Sequence, residues 1–184
     1  TEYLVMEAIE NGTISWDTTV IVSKYADAIG GSGALIKEGH KYSVEDLFKQ
    51  MSIYSSNDAT VALAETVAGS EEAFVHMMND KAREFGLSEG AIFTNATGLN
   101  KEDTGEYSPN IPGESMFTAH DAAIIAQRII KDHPQILEFT KIPSAPAWEN
   151  GPIMINWNRI LEGWKDYDNL FSAGAYEEIG RAHV

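Results

Sequence analysis

Cysteine is absent from the 184 residues. That excludes disulfides, thiol catalysis and cysteine-ligated zinc, and it leaves the compartment open. Basic residues are scarce: 13 Lys and Arg stand against 28 Asp and Glu, a formal net charge of −15. A surface built for phosphates needs clustered Lys and Arg, so nucleic acid is not an expected partner. The acidic excess reads most simply as a solvated face. No run of 18 apolar residues occurs, so this stretch holds no transmembrane helix. The histidines are few, and His40, His76, His120 and His133 follow no ligand spacing such as His-Glu-x-x-His; they read as surface residues. Asn100, Glu102, Thr104 and Gly105 resemble the start of a calcium loop. Ile111, however, stands where the bidentate Glu is required. No metal and no cofactor are expected.

What is present suits a globular chain. Apolar residues make up 43% and charged residues 22%, ordinary proportions at a length sufficient for one domain or most of one. Helices dominate the pattern. Leu4, Val5, Ala8 and Ile9 lie on a helix that is already under way at the first residue and stops at Asn11-Gly12. Val20-Ile21-Val22 suits a strand, and Gly30-Gly31-Ser32-Gly33 a flexible loop. Ser43 and Asp46 have capping-box spacing, opening a helix through Leu47, Phe48 and Met51 that breaks around Tyr54–Asn57. A second helix carries Ala59, Ala62, Leu63, Thr66 and Val67 to Gly69. Ser70 caps a third, with Phe74, Met77, Met78, Ala82 and Phe85 inward and Gly86 as its stop. Thr118 and Asp121 form another capping-box pair before Ala122, Ile125, Ala126, Ile129 and Ile130. Pro134 can start a short helix with Ile136, Leu137 and Phe139. Residues 143–152 read as a proline-rich loop, and Trp148, Trp157 and Trp164 either line a cleft or cover a core.

Neither end reads as a natural terminus. There is no initiator Met and no signal peptide, and the last six residues, Ile179 to Val184, resemble a translated sequencing adapter. The expected division is therefore a partial catalytic domain over 1–178 and a non-native tail over 179–184.

The chemically suggestive segment is Tyr54-Ser55-Ser56-Asn57, a polar turn between two helices. Ser55 and Asn57 place a hydroxyl and a carboxamide two residues apart. The hydroxyl can accept and pass on a proton; the amide can donate to a carbonyl and accept from an ammonium. Both suit acyl transfer, in which a leaving amine is protonated and the acyl group is held in line. Taken alone, the tripeptide equally suits an ordinary helix N-cap by Ser55, Ser56 or Asn57.

The surrounding residues extend the pattern. Ser-x-Asn is one of three motifs of penicillin-recognising serine enzymes, with Ser-x-x-Lys and Lys-Thr-Gly. Around it stand Thr1-Glu2-Tyr3-Leu4, Tyr42-Ser43-Val44-Glu45-Asp46-Leu47 and Ala64-Glu65-Thr66-Val67-Ala68-Gly69-Ser70. Met78-Asn79 and Phe85-Gly86-Leu87 follow, then Phe93-Thr94-Asn95-Ala96-Thr97-Gly98-Leu99, Thr118-Ala119 with Asp121, and Asn156-Trp157-Asn158. In this order they resemble the D-alanyl-D-alanine carboxypeptidases among the low-molecular-weight penicillin-binding proteins, of the type-five-like branch. The resemblance covers residues 1–178. It implies an α+β fold of the β-lactamase/transpeptidase-like kind, of which this chain supplies mainly the helical subdomain and lacks much of the antiparallel sheet. It also implies exposed apolar surface and a poorly cooperative melt. The implied partners are a peptidoglycan stem peptide ending in D-Ala-D-Ala, and β-lactams. The implied location is extracytoplasmic, at a membrane reached only through a C-terminal anchor outside this chain.

By that resemblance Ser55 relays protons, Asn57 holds the substrate carbonyl and helps position the motif lysine, and Ser56 has no role. The turn Phe93–Leu99 is structural. Ser-x-x-Lys and Lys-Thr-Gly are both missing; the pattern places one just before Thr1 and the other just after Glu178, so the chain alone is expected to be inactive. Two other readings stand. A class A-like β-lactamase would carry Glu-x-x-Leu-Asn after the turn, and no such sequence occurs. A non-catalytic homologue that binds wall peptide would lack the nucleophile in its flanks.

Overall fold

The structure is a computed structural model and describes residues 1–33, 35–158 and 161. The chain starts in helix α1 (Glu2–Glu10), whose exit is turned by Gly12 at φ +78°. Strand β1 (Thr19–Ile21), the short helix α2 (Lys24–Ala28) and strand β2 (Lys41–Ser43) follow. β1 and β2 pair antiparallel, with Val20 opposite Tyr42. The strand thus starts one residue before the expected Val20. Then come α3 (Val44–Tyr54), α4 (Asn57–Ala68) and α5 (Glu71–Phe85), the last two ended by left-handed Gly69 and Gly86. After α6 (Lys101–Thr104) and a 3₁₀ turn (Gly105–Tyr107) come α7 (Ala119–Asp132) and α8 (Ile136–Thr140).

The proline-rich stretch is more ordered than its composition suggests. β3 (Ser144–Pro146) pairs antiparallel with β4 (Ile153–Ile155), with Pro146 opposite Ile153. In this two-stranded pair proline sits at an edge position, where its missing N–H does least harm. The chain is therefore α+β, helix-rich, with two small antiparallel sheets.

The core forms where α1, α3, α4 and α5 converge. Val5, Val44, Leu47, Phe48, Val61, Leu63 and Phe74 are completely buried. Trp16, Phe48 and Phe139 make a three-ring cluster with centroids 5.0–5.3 Å apart, fastening α8 to α3. α7 differs: of its expected inward residues none is fully buried, and Ile130 is 48% exposed. Met77 on α5, also expected inward, lies at the surface. Met116, Leu137, Ile153 and Ile155 are likewise exposed.

His133 overturns the surface reading given to the histidines. It is 3% exposed, with Nδ1 3.0 Å from Glu10 Oε1 and its ring edge-on to Tyr3 at 4.5 Å. It closes the last turn of α7 against the end of α1, a tertiary contact that spacing along the chain does not reveal. His40, His76 and His120 are exposed, as expected.

Helix α7 is fixed at its start by a true capping box between Thr118 and Asp121. Asp121 Oδ2 also accepts from the Ser88 hydroxyl, and its Oδ1 from the Ser88 amide at 2.8 Å. The Ser43 cap of α3 is different: its hydroxyl accepts from the Asp46 amide at 3.0 Å and donates to the Asp46 carboxylate at 2.8 Å. The hydrogen bonds from Ser88 and Thr118 hold the Asp121 carboxyl far below the usual carboxylate range. A depressed carboxylate stabilises the fold above its unfolded value near 3.9, and that contribution fades as pH falls toward the folded value. The stability difference between the native chain and Asp121→Asn, followed by urea unfolding, is expected to be constant from about pH 7 to pH 5 and to shrink below about pH 4.

Candidate active site

The turn between α3 and α4 is built on one unusual backbone position. Ser55 has φ 56° and ψ 40°, a left-handed conformation that costs a non-glycine residue about 1–2 kcal/mol. It is held there by the end of α3, where the Ser55 amide donates to Met51 O at 3.0 Å and the Ser56 amide to Gln50 O at 3.2 Å. The sharp reversal lets α4 begin two residues later. It also turns the Ser55 side chain to solvent, and the Ser55 hydroxyl has no hydrogen-bond partner among the described residues.

The helix-cap alternative holds for this turn in position but not in bonding. Ser56 occupies the N-cap position of α4, but its hydroxyl makes no capping bond and is buried without a partner among the described residues. Asn57 lies inside the first turn, and its carboxamide points away from the helix. Asn57 Nδ2 donates to Gly30 O at 2.9 Å, and its backbone amide donates to Ser32 O at 2.8 Å. The Gly30 carbonyl fixes which end of the carboxamide is nitrogen. One Nδ2 hydrogen and the Oδ1 acceptor remain without partners among the described residues. Asn57 is 7% exposed, so a group reaching it meets a partly dry and rigidly oriented amide.

The glycine loop 30–33 forms the other wall, and its role was not legible in sequence. Ser32 Oγ donates to Tyr54 O at 2.9 Å. A Cβ at Gly31 would lie 2.5 Å from Asn57 Nδ2, and one at Gly33 would lie 2.3 Å from Asp58 Oδ1. Both glycines also have positive φ, +84° and +117°. They are required by close approach and conformation together.

Asp58 is the second residue the sequence reading missed. It is completely buried. Its Oδ2 accepts from the Leu35 amide at 2.8 Å and the Ile36 amide at 3.2 Å, and its Oδ1 from the Ala59 amide at 2.8 Å. The available signal was an acid in the first turn of α4, which the helix dipole explains without any tertiary role. Trp157 completes the surroundings. Its indole N–H donates to Tyr54 O at 2.9 Å, while 43% of the residue remains exposed. Trp164, the tail 179–184 and Glu178 lie outside the described residues.

The turn Phe93–Leu99 abuts the loop from behind, with Leu99 Cδ2 3.6 Å from a Cβ position on Gly31. Asn95 folds it, its Oδ1 accepting from the amides of Thr97 and Gly98 at 3.1 and 2.7 Å. Buried Glu71 anchors it, accepting from the Ala96 amide at 2.7 Å. Burial pushes the Glu71 carboxyl up, against the opposing hydrogen bonds from Tyr25 and Ala96. The start of α1 reaches the same region: Thr1 Oγ1 donates to Ala96 O at 2.7 Å, and Ser52 Oγ to Glu2 Oε1 at 2.9 Å. Within the segment 100–105, Lys101–Thr104 forms α6, and no group of three acidic or histidine side chains among the described residues is placed to hold a metal.

The clamp yields a specific expectation. Asp58→Ala leaves two loop amides without an acceptor, so it should destabilise the fold by about 3 kcal/mol. Hydrogen exchange is the sharper check: the Leu35 and Ile36 amides should lose protection first, and unchanged protection there would show that the clamp does not hold the loop.

Comparison with known proteins identifies the family. The family model described as D-alanyl-D-alanine carboxypeptidase matches residues 1–174. D-alanyl-D-alanine carboxypeptidase DacF of Bacillus subtilis is 36% identical over 173 residues, covering 92% of this chain and 41% of its own length. Among solved structures, a peptidoglycan synthesis regulatory factor, PBP3, of Streptococcus pneumoniae is 39% identical with a TM-score of 0.79. That match covers 88% of this chain and 46% of that one. Penicillin-binding protein D2 of Listeria monocytogenes, solved in its cefotaxime-bound form, is 28% identical with a TM-score of 0.71, over 88% of this chain and 61% of that one. The chain thus spans about half the length of the relatives it matches. Its α+β architecture is the helix-rich part of the penicillin-binding, β-lactamase-like fold. The chain belongs to the D-alanyl-D-alanine carboxypeptidase family.

Proposed function

We propose that this chain is the helical part of a serine D-Ala-D-Ala carboxypeptidase, and that Ser55 and Asn57 belong to its catalytic machinery. The observation that carries the reading is the uncommitted chemistry of the turn. A hydroxyl exposed by a strained backbone stands two residues from a fixed, half-occupied carboxamide, and neither caps the helix that follows. Left-handed residues commonly end helices, but glycine usually fills that position, and a turn serving only to join helices does not call for serine there. Family membership supplies the reaction class: a serine outside these residues attacks the penultimate peptide carbonyl, D-alanine leaves, and water hydrolyses the acyl-enzyme.

In that sequence Ser55 passes a proton toward the departing amine. Asn57 donates its free Nδ2 hydrogen to the substrate carbonyl, while Oδ1 accepts from the lysine ammonium of Ser-x-x-Lys. Asp58 and the glycine loop keep the carboxamide from rotating and act as positioning groups. Penicillins imitate the dipeptide and trap the acyl-enzyme; the cefotaxime-bound relative supports this reading. Residues 1–184 contain neither Ser-x-x-Lys nor Lys-Thr-Gly, so the chain by itself is inactive. The natural substrate is a peptidoglycan stem peptide, which places the whole protein outside the cytoplasm at the membrane. Among the described residues no helix is long and apolar enough to cross one.

The test uses fluorescent penicillin on two polypeptides, this chain and the same chain extended through its flanking coding sequence. The first should take no covalent label, and the second should be labelled at one serine upstream of Thr1. In the extended protein, Asn57→Ala should slow acylation by about 10²–10³-fold and Ser55→Ala by about 10²-fold or more. Labelling of the 184-residue chain at a defined serine, or undiminished acylation in both variants, would overturn the assignment.

A further inference from the structure

A second concavity lies at the opposite end of α3 from the turn. It has a volume of about 500 Å³, and its walls include His40, Lys41, Tyr42, Asp46, Trp148 and Glu149. α3 has 11 residues, so at 1.5 Å per residue the hollow opens about 16 Å from Ser55 along the helix axis. The β3–β4 hairpin packs along the same helix. Its connection carries Trp148 to the hollow, and its exit carries Trp157 to the catalytic turn.

The aromatic part is fixed. The Tyr42 and Trp148 rings lie 5.1 Å apart at 59°. Trp148 is seated by its own turn: the Gly151 amide donates to Trp148 O at 2.8 Å, and a Cβ at Gly151 would stand 2.8 Å from the indole. Both rings are half-buried, and both line the hollow. The polar part is balanced. Lys41 and His40 share the lining with Asp46 and Glu149, and Asp46 is already engaged by the Ser43 hydroxyl. No sign of charge dominates, although the chain as a whole carries −15. An anionic ligand would need clustered bases, and an apolar one would need dry walls. Two half-buried aromatic rings within a mixed polar rim suit an uncharged ligand that is apolar on its ring faces and hydroxylated at its edges.

We propose that this hollow is a binding site for glycan, taking N-acetylated sugar rings against Trp148 and Tyr42 while a peptide borne by the same polymer reaches Ser55. The choice of glycan rests on the carboxypeptidase reading, because the substrate of that reaction is a peptide carried on a sugar strand. The binding itself requires no nucleophile. It can therefore fail while acylation succeeds in the extended protein, and it can stand if acylation fails.

The probe is chitotetraose, titrated into the ¹⁵N-labelled 184-residue chain, with the indole cross-peaks assigned by single Trp→Phe substitutions. The Trp148 cross-peak should move saturably while that of Trp16, buried in the three-ring cluster, stays fixed. Trp148→Ala should weaken binding about tenfold or more, and Glu149→Gln about threefold. Where Trp148→Ala does not fold, the native cross-peak still decides. An unmoved Trp148 cross-peak, equal affinity in a folded Trp148→Ala, or a shift produced by a sugar-free stem tripeptide in place of chitotetraose would each overturn the proposal.

Discussion

The left-handed backbone at Ser55 is the constraint on which the site depends. A right-handed residue there would continue α3, carrying Asn57 round the helix and away from the glycine loop. The positive φ instead breaks the helix within one residue, so α4 starts at Asn57 with its first amide aimed at Ser32. The conformation is maintained on both sides. The Gln50 and Met51 carbonyls receive the amides that follow the break. The Tyr54 carbonyl, which a continuing helix would have used, accepts from the Ser32 hydroxyl and the Trp157 indole. The Tyr54 carbonyl and the Asn57 amide thus find partners in distant parts of the chain, which is how a strained turn persists.

Buried acids do the fastening. Asp58, Glu71 and Asp121 are each at least 97% buried, and each receives amide hydrogens from a segment distant in sequence: Leu35 and Ile36, Ala96, and Ser88. A carboxylate is suited to this work because its two oxygens can accept several N–H bonds at once. The three anchors fix three irregular segments, the glycine loop, the turn 95–99 and the connection after α5. These segments have few apolar residues with which to hold themselves. Most of the acids among the described residues keep at least part of their surface in solvent, yet these three carry structural consequences that the net charge conceals.

That division explains what was legible in the sequence. The long helices announced themselves through apolar spacing and terminal signals: Gly69 and Gly86 end α4 and α5 in the left-handed conformation, and Thr118 with Asp121 opens α7. The break at Tyr54–Asn57 was legible as a polar interruption, and ordered landmarks rather than that tripeptide pointed to the family. Contacts between distant segments were not legible. Nothing in the spacing of Asp58 tells a helix-dipole acid from a clamp on residues 35 and 36. Nothing in Gly30–Gly33 tells a flexible loop from one pressed against an asparagine. His133 looked like a surface residue because its neighbours, Lys131, Asp132 and Pro134, are polar or helix-ending; the end of α1 covers it. The hairpin β3–β4 was hidden by its prolines, since a two-stranded edge tolerates what a central strand does not. Half-uncovered α7 is the reverse case, with helical spacing that is real and an inner face that these residues only partly cover.

Helix α3 connects these features mechanically. Its C-terminal residue accepts the Ser32 and Trp157 bonds, its first turn lines the hollow with Tyr42 and Trp148, and its middle is buried through Leu47, Phe48 and Ile53. A helix packed on that scale moves as a rigid body, because its side chains are interdigitated at close to crystal density. Two sites at its ends therefore keep a fixed separation. A small peptide can use only one of them, whereas a polymer that spans both is held at two points by a surface that does not need to close. The second contact then acts as a local concentration of substrate at the first, with a benefit that depends on the spacing being rigid. Under the proposed assignment, the hollow and the turn discriminate between attached and free peptide without any residue of the turn having to recognise the glycan.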